Sequence, residues 1–177
     1  MLQPFLLVGV GGSGGKTLRA LRHSLELRLQ QEDWQEGWPN AWQMLHVDSP
    51  VTQDGASFPA PFLPSENYFP LVAPGTTYRQ AHGSVMANIP TKYLAEIEKA
   101  LPSDDEVNVD ITIGAGKFRG VGRTLVLAKL KQLTDQINES FAKMTSDGAI
   151  SQLDSLGRKL GAKAEQQLHS SSNALVP

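Results

Sequence analysis

The chain has 177 residues, 40% of them hydrophobic, with 16 Lys+Arg against 18 Asp+Glu for a formal net charge of -2. That length suits one domain with a core of its own and is short for two, while the balanced charge gives no electrostatic footing for a nucleic-acid or membrane partner. With no cysteine there are no disulfides or thiolate metal sites, no apolar run approaches the roughly 20 residues of a bilayer span, and "MLQPFLLVGVGG" lacks the basic start and cleavage site of a signal peptide, so a cytoplasmic protein is expected.

Pro4 precedes "FLLVGV", a short apolar run closed by glycine, which predicts a strand over Phe5–Val10 buried on both faces of a parallel sheet. From Lys16 the spacing becomes helical, with Leu18, Leu21, Leu25 and Leu29 on one stripe and Arg19, Arg22, Glu26 and Arg28 on the other side, until Gly37 and Pro39 break it. "AWQMLHVD" reads as a second strand, Trp42–Asp48, so the order is strand, glycine loop, helix, strand: a βαβ unit. Trp34, Trp38 and Trp42 around Pro39 are expected to pack the helix exit onto the sheet.

Residues 49–90 hold Pro50, Pro59, Pro61, Pro64, Pro70, Pro74 and Pro90 with little periodicity, which predicts a long irregular excursion, either a partner surface or an insertion. "TKYLAEIEKAL" reads as a short helix begun by Thr91, and the acidic "PSDDEVNVD" as a solvated loop. A third strand is expected over Val109–Ile113, again ending in glycine, followed by one long amphipathic helix, Val121 to Met144, through Leu125, Ala128, Leu133, Ile137 and Phe141. Leu153, Leu156, Leu160, Ala164 and Leu168 form a last helical stripe before a Ser-rich connector and "ALVP", which reads as the approach to a further strand and hence as the front part of something longer. The whole predicts an α/β fold, a three-layer Rossmann-like and largely parallel sheet, in one incomplete domain spanning 1–177.

Chemistry concentrates in "FLLVGVGGSGGKT", where Gly9 lies near the end of the first strand, Gly11, Gly12, Gly14 and Gly15 follow it, and Lys16 and Thr17 come next. Glycine admits positive φ and lets amide N–H groups approach a ligand, and the helix beginning near Gly15 aims its unpaired N–H groups and positive dipole end into the same space. A phosphate fits there; a purely structural tight turn is the plainer alternative. Gly9, Gly11 and Gly14 satisfy G-x-G-x-x-G between strand and helix. The P-loop pattern aligns Gly15, Lys16 and Thr17 but requires glycine where Val10 stands. The dinucleotide template wants an acid about 20 residues past the glycines at the end of the second strand. Asp33 has the distance but lies in the helix exit, and Asp48 has the place but not the distance.

A third template matches in the residues themselves. "FLLVGVGGSGGKTLRAL" resembles the first phosphate loop of the tubulin and FtsZ superfamily, "MLHVDSP" its second strand closed by aspartate, and "ITIGAGKFRGVGR" its glycine-alanine-glycine loop beside the terminal phosphate. The combination most resembles the bacterial tubulin-like proteins. The resemblance implies a tubulin/FtsZ-type nucleotide-binding sheet and a GTP-binding, filament-forming cytoskeletal-type protein. It implies that Gly9, Gly11, Gly12, Ser13, Gly14 and Gly15, with Lys16 and Thr17, surround the α- and β-phosphates of GTP or GDP, with or without magnesium. Asp48 would lie at the ribose side, and Gly114, Ala115, Gly116 and Lys117 at the terminal phosphate.

Three departures qualify it. Lys16 stands where FtsZ carries asparagine, and an outward cap of the first turn is the plainer account of it. Lys117 and Arg119 lie close enough to the glycines to reach phosphate, and Arg123 reads as a solvated helix residue. The family's main glycine-threonine phosphate signature and its water-activating acid loop are not among these residues, so the 177 residues alone are expected neither to hydrolyse GTP nor to polymerise, and no catalytic residue is assigned. Self-association is expected of the full-length protein. A dinucleotide-binding Rossmann domain and a non-catalytic interaction module retaining the fold stay open as alternatives. His23, His46, His82 and His169 share no metal-ligand spacing and are given no role, so no metal site is expected from the side chains.

Overall fold

A computed structural model of the chain describes residues 2–53, 61–115 and 118–173, as backbone alone from 164 onward. The expected Gly116, Lys117 and "ALVP" segments lie outside the described residues, as do the side chains of Ala164, Leu168 and His169. The fold is α/β, built on a three-stranded parallel sheet in the order β1-β2-β3: β1 Phe5–Val10, β2 Trp42–Asp48 and β3 Tyr68–Pro70. Its helices are α1 Gly11–Gln31, α2 Tyr78–Asn88, α3 Thr91–Ala100, α4 Arg119–Ala128, α5 Leu130–Met144 and α6 Asp147–Asn173. Among the described residues no helix is long and apolar enough to cross a membrane.

The first two strands fall where the apolar runs put them, but β1 is an edge strand with Val8 and Val10 exposed, not a strand buried on both faces. The doubly buried strand is β2, whose Met44, Leu45, His46 and Val47 are all buried because it sits between two partners. The expected third strand does not form. Asp110 accepts hydrogen bonds from the Thr112 N–H (2.9 Å) and the Thr112 hydroxyl (2.6 Å), and the Ile113 N–H donates to the Asp110 carbonyl (3.2 Å), so a side chain that bonds its own backbone folds Val109–Ile113 into a turn. The third strand comes instead from the proline-rich 49–90 stretch, which also holds a 3-10 turn at Ser65–Asn67 and all of α2. β3 pairs His46 with Tyr68, Val47 with Phe69 and Asp48 with Pro70, and its proline is tolerated because the strand is an edge. Thr77 and Gln80 form a reciprocal capping box that starts α2.

Two further expectations shift. The helix expected over Val121 to Met144 is interrupted at Lys129, giving α4 and α5. On α1 the polar and apolar sides are not as spaced: Leu21 is exposed, while Arg19 is buried with its Nε–H donating to the Pro61 carbonyl (2.8 Å) and its guanidinium 4.4 Å from the Phe62 ring centroid. A buried cation is tolerable when its donors and its flat face are both engaged in this way. The chain also stays helical through Ser170, Ser171 and Ser172, where a connector was expected.

The chain divides into two compact units, each with its own core. One comprises the described residues of Met1–Leu7, Leu21–Gln43 and Asn138–Pro177. Its core joins Leu29, Trp34, Ala41 and Trp42 to Ala149, Leu153 and Leu156 of α6, so the tryptophans are core as expected. Phe5 stacks on Trp42 at 5.5 Å, and the Trp34 indole N–H donates to the Gly37 carbonyl (2.8 Å), closing the helix exit. The Gln152 side chain reinforces that exit by accepting from the Asn40 N–H (2.8 Å) and donating to the Glu36 carbonyl (3.3 Å).

The other unit comprises Val8–Ala20 and Met44–Ile137, and its core joins Leu45 and Val47 to Leu71, Val72, Tyr78, Ile111, Val121 and Leu125. In it, the Tyr78 hydroxyl donates to the Pro102 carbonyl (2.7 Å) and lies 2.9 Å from Thr124 Oγ1, pinning the α3 exit onto α4. A Cβ on Gly120 would meet Pro102 Cδ at 2.6 Å, so the same contact requires glycine there.

Candidate functional site

The second unit carries the candidate site at the carboxyl ends of β1 and β2, where open parallel sheets bind ligands. A cleft of about 420 Å³ is lined by Val10 and Gly11, by Asp48 and Ser49, by Ala115, and by Gly122 and Arg123 of α4. Three stretches singled out in the sequence therefore converge on one cleft: the first glycine loop, the end of the second strand and the later glycine loop. Arg123 is exposed on α4, as expected of a solvated helix residue; it also lines the cleft and donates from Nη1 to the Ala100 carbonyl at 2.9 Å.

The five glycines of the first loop do different jobs. Gly11 takes φ 69°, a left-handed conformation that swings the chain from strand into helix, and α1 begins there, four residues earlier than expected. Gly9 and Gly14 lie back to back: a Cβ on Gly9 would stand 2.6 Å from the Gly14 carbonyl oxygen, and one on Gly14 2.8 Å from the Gly9 carbonyl carbon. Gly15 is pressed on the imidazole of His46, with any Cβ only 2.1 Å from Cε1. Gly12 differs, since a Cβ there meets nothing within 4 Å among the described residues. Ser13 and Thr17 are exposed, with the Thr17 hydroxyl donating to the Ser13 carbonyl (3.0 Å), and Lys16 is half-buried.

Two residues of β2 and its exit that the sequence reading left without a role hold these loops in place. His46 is 2% exposed; its Nε2 lies 3.1 Å from the Gly11 carbonyl oxygen and 3.6 Å from Asp48 Oδ2. Both of those oxygens only accept, so Nε2 carries the proton. Ser49 is also buried, and its Oγ accepts from the Ala115 N–H at 3.0 Å, fastening the later loop to the end of the strand, while its own N–H donates to Asp48 Oδ1 at 2.8 Å. The available signal was the two-residue strand period, which puts His46 on the same face as Asp48.

A family model described as tubulin-like matches residues 6–171. The chain belongs to the tubulin-like family. No curated protein and no solved structure matches it. In this tubulin-like chain the first matched stretch is β1 with the glycine turn, and the match runs on through both cleft-lining loops into α6.

Beside the cleft, Tyr68 stands edge-on to His46 with ring centroids 5.0 Å apart, and its hydroxyl donates to the Pro50 carbonyl. Burial, and then the negative charge of Asp48, push the Tyr68 hydroxyl well above the ordinary tyrosine pKa, and burial also raises Tyr78. In the folded chain both hold their protons at a pH where the unfolded chain has lost them. Their contribution to stability is thus complete below the ordinary value of about 10 and lost as pH rises beyond it. The urea midpoint is expected to fall steeply above that pH, and Tyr68→Phe to make the fall shallower; an equally steep fall in Tyr68→Phe would show that Tyr68 is not its source.

Proposed function

We propose that the chain binds a guanine nucleotide, with the α- and β-phosphates over the Gly11–Gly15 turn at the amino end of α1, the ribose on the Asp48 side and the terminal phosphate toward Gly114 and Ala115. The observation that carries this reading is Gly11, whose positive φ opens the amino end of a long helix onto the same cleft that Asp48 and Ala115 line. The exposed amides of a helix start and its positive dipole end favour an anion. The open space above Gly12 fits a phosphate better than it fits a structural turn, because nothing in the described chain requires glycine there. The expected Gly116 and Lys117 contacts belong to the same proposal, although both residues lie outside the described ones.

Among the described residues no group of three His, Cys, Asp or Glu side chains could hold a metal. Magnesium would therefore enter on the nucleotide's phosphates, which supply most of its ligands, with Asp48 the carboxylate at hand in the cleft. Membership in the tubulin-like family supports self-association as the context of that binding, and a cytoplasmic setting accords with it.

One observation favours a second reading. Asp48 ends β2 beside the glycine turn, the place where a dinucleotide fold keeps its ribose-binding acid. Calorimetric titration of the chain with GTP, GDP, ATP and NAD separates the two. Saturable binding of GTP and GDP, at least tenfold tighter than ATP or NAD, is the expected result. Binding of NAD without GTP would transfer the site to the dinucleotide class, and no binding by any of the four would leave a non-catalytic interaction module.

A further inference from the structure

We propose that His46 is the positioning residue of the nucleotide site, the side chain that sets the glycine turn in its phosphate-accepting form; this rests on the nucleotide-binding reading above. The argument starts from its cost. Nδ1 of His46 is fully buried and has no hydrogen-bond partner among the described residues, and a buried polar atom left in that state is destabilising unless the rest of the group compensates. An apolar side chain of similar volume on β2 would avoid that cost, so packing alone gives no reason for a histidine.

The compensation lies on the other ring nitrogen. The Nε2–H donates to the carbonyl of Gly11, the residue at positive φ, and the ring edge occupies the space that only glycine leaves at position 15. The imidazole therefore touches the turn at both of its ends. Its own orientation is fixed by Tyr68 edge-on and by Asp48 at 3.6 Å. The Gly11 carbonyl is thus tied to β2, at the start of a helix whose first amide N–H groups have no partner within it.

The test compares His46→Leu, which keeps volume and removes the donor, with His46→Gln, whose side-chain amide reaches as far as Nε2 and restores one. In the unliganded protein, 15N order parameters at Gly12–Gly15 are expected to fall from about 0.85 to below about 0.6 in His46→Leu. They should stay near wild type in His46→Gln, with α6 unchanged in both as an internal control. GTP affinity should drop about tenfold or more in His46→Leu and recover to within about threefold of wild type in His46→Gln. Imidazole 15N spectra should show a proton on Nε2 of His46. Equal loss in both variants, an unmoved turn in His46→Leu, or an Nδ1–H tautomer would overturn the proposal. Wild-type protein that fails to bind GTP would instead sink the nucleotide reading, while the order parameters still decide whether His46 positions the turn.

Discussion

Gly15→Ala is expected to destabilise the cleft-bearing unit by more than about 4 kcal/mol, which lowers its melting temperature by about 10 °C or more. Alanine is the better helix former by about 1 kcal/mol, so propensity alone predicts the opposite sign. Sterics decide, because the new Cβ would lie 2.1 Å from Cε1 and 2.4 Å from Nε2 of His46. The usual escape, rotating the obstructing side chain into solvent, is closed to a ring that is 2% exposed and held by Gly11 and Tyr68. The clash is with one side chain, so it is removable. The double variant Gly15→Ala, His46→Ala should be more stable than Gly15→Ala alone, a coupling of the kind that contacting residues show in double-mutant cycles. A melting temperature within a degree or two of wild type for Gly15→Ala would mean that the helix and β2 are not packed as described.

Gly12→Ala is expected to separate folding from binding. Its Cβ meets nothing within 4 Å among the described residues and the position lies inside α1, so the change should leave stability unaltered or raise it by up to about 1 kcal/mol. If phosphate lies over the turn, that same Cβ stands where the backbone must approach it, and affinity for GTP should fall on the order of 100-fold, about 2.7 kcal/mol. Calorimetry and thermal melts on the same preparation read both quantities. Unchanged affinity would remove the phosphate from the turn and with it the main support for the nucleotide reading.

How much of this was legible in the sequence depended on whether local signals and tertiary context agreed. β1 and β2 stand at their predicted bounds because an apolar run between a proline or tryptophan and a glycine or aspartate has little else to become. Val109–Ile113 read as a strand by alternation, yet the Asp110 carboxylate competes for the backbone N–H groups a strand would use, and a window of hydrophobicity does not register that competition. β3 was hidden for the opposite reason: three residues among prolines carry no period, and only pairing with β2 makes them a strand. In the cleft, Gly11, Asp48 and Ala115 were found because motifs name them. His46 and Ser49 escaped because single polar residues acquire meaning only from what the fold sets against them, a glycine carbonyl in one case and an amide of a distant loop in the other.

The division into two units also sorts the chromophores. Trp34, Trp38 and Trp42 are all the tryptophans of the chain and belong to the unit that contains α6, whereas its three tyrosines, Tyr68, Tyr78 and Tyr93, belong to the unit that carries the cleft. Indole emission therefore follows the melting of one unit only, and phenol absorbance that of the other. Non-coincident curves from the two signals would measure how cooperatively the units unfold, without any label. The indole-free surroundings of the cleft have a practical side as well: a single tryptophan introduced at exposed Phe118, three residues past Ala115, adds an emitter to the cleft-bearing unit, separable by difference from the three buried or half-buried indoles of the other.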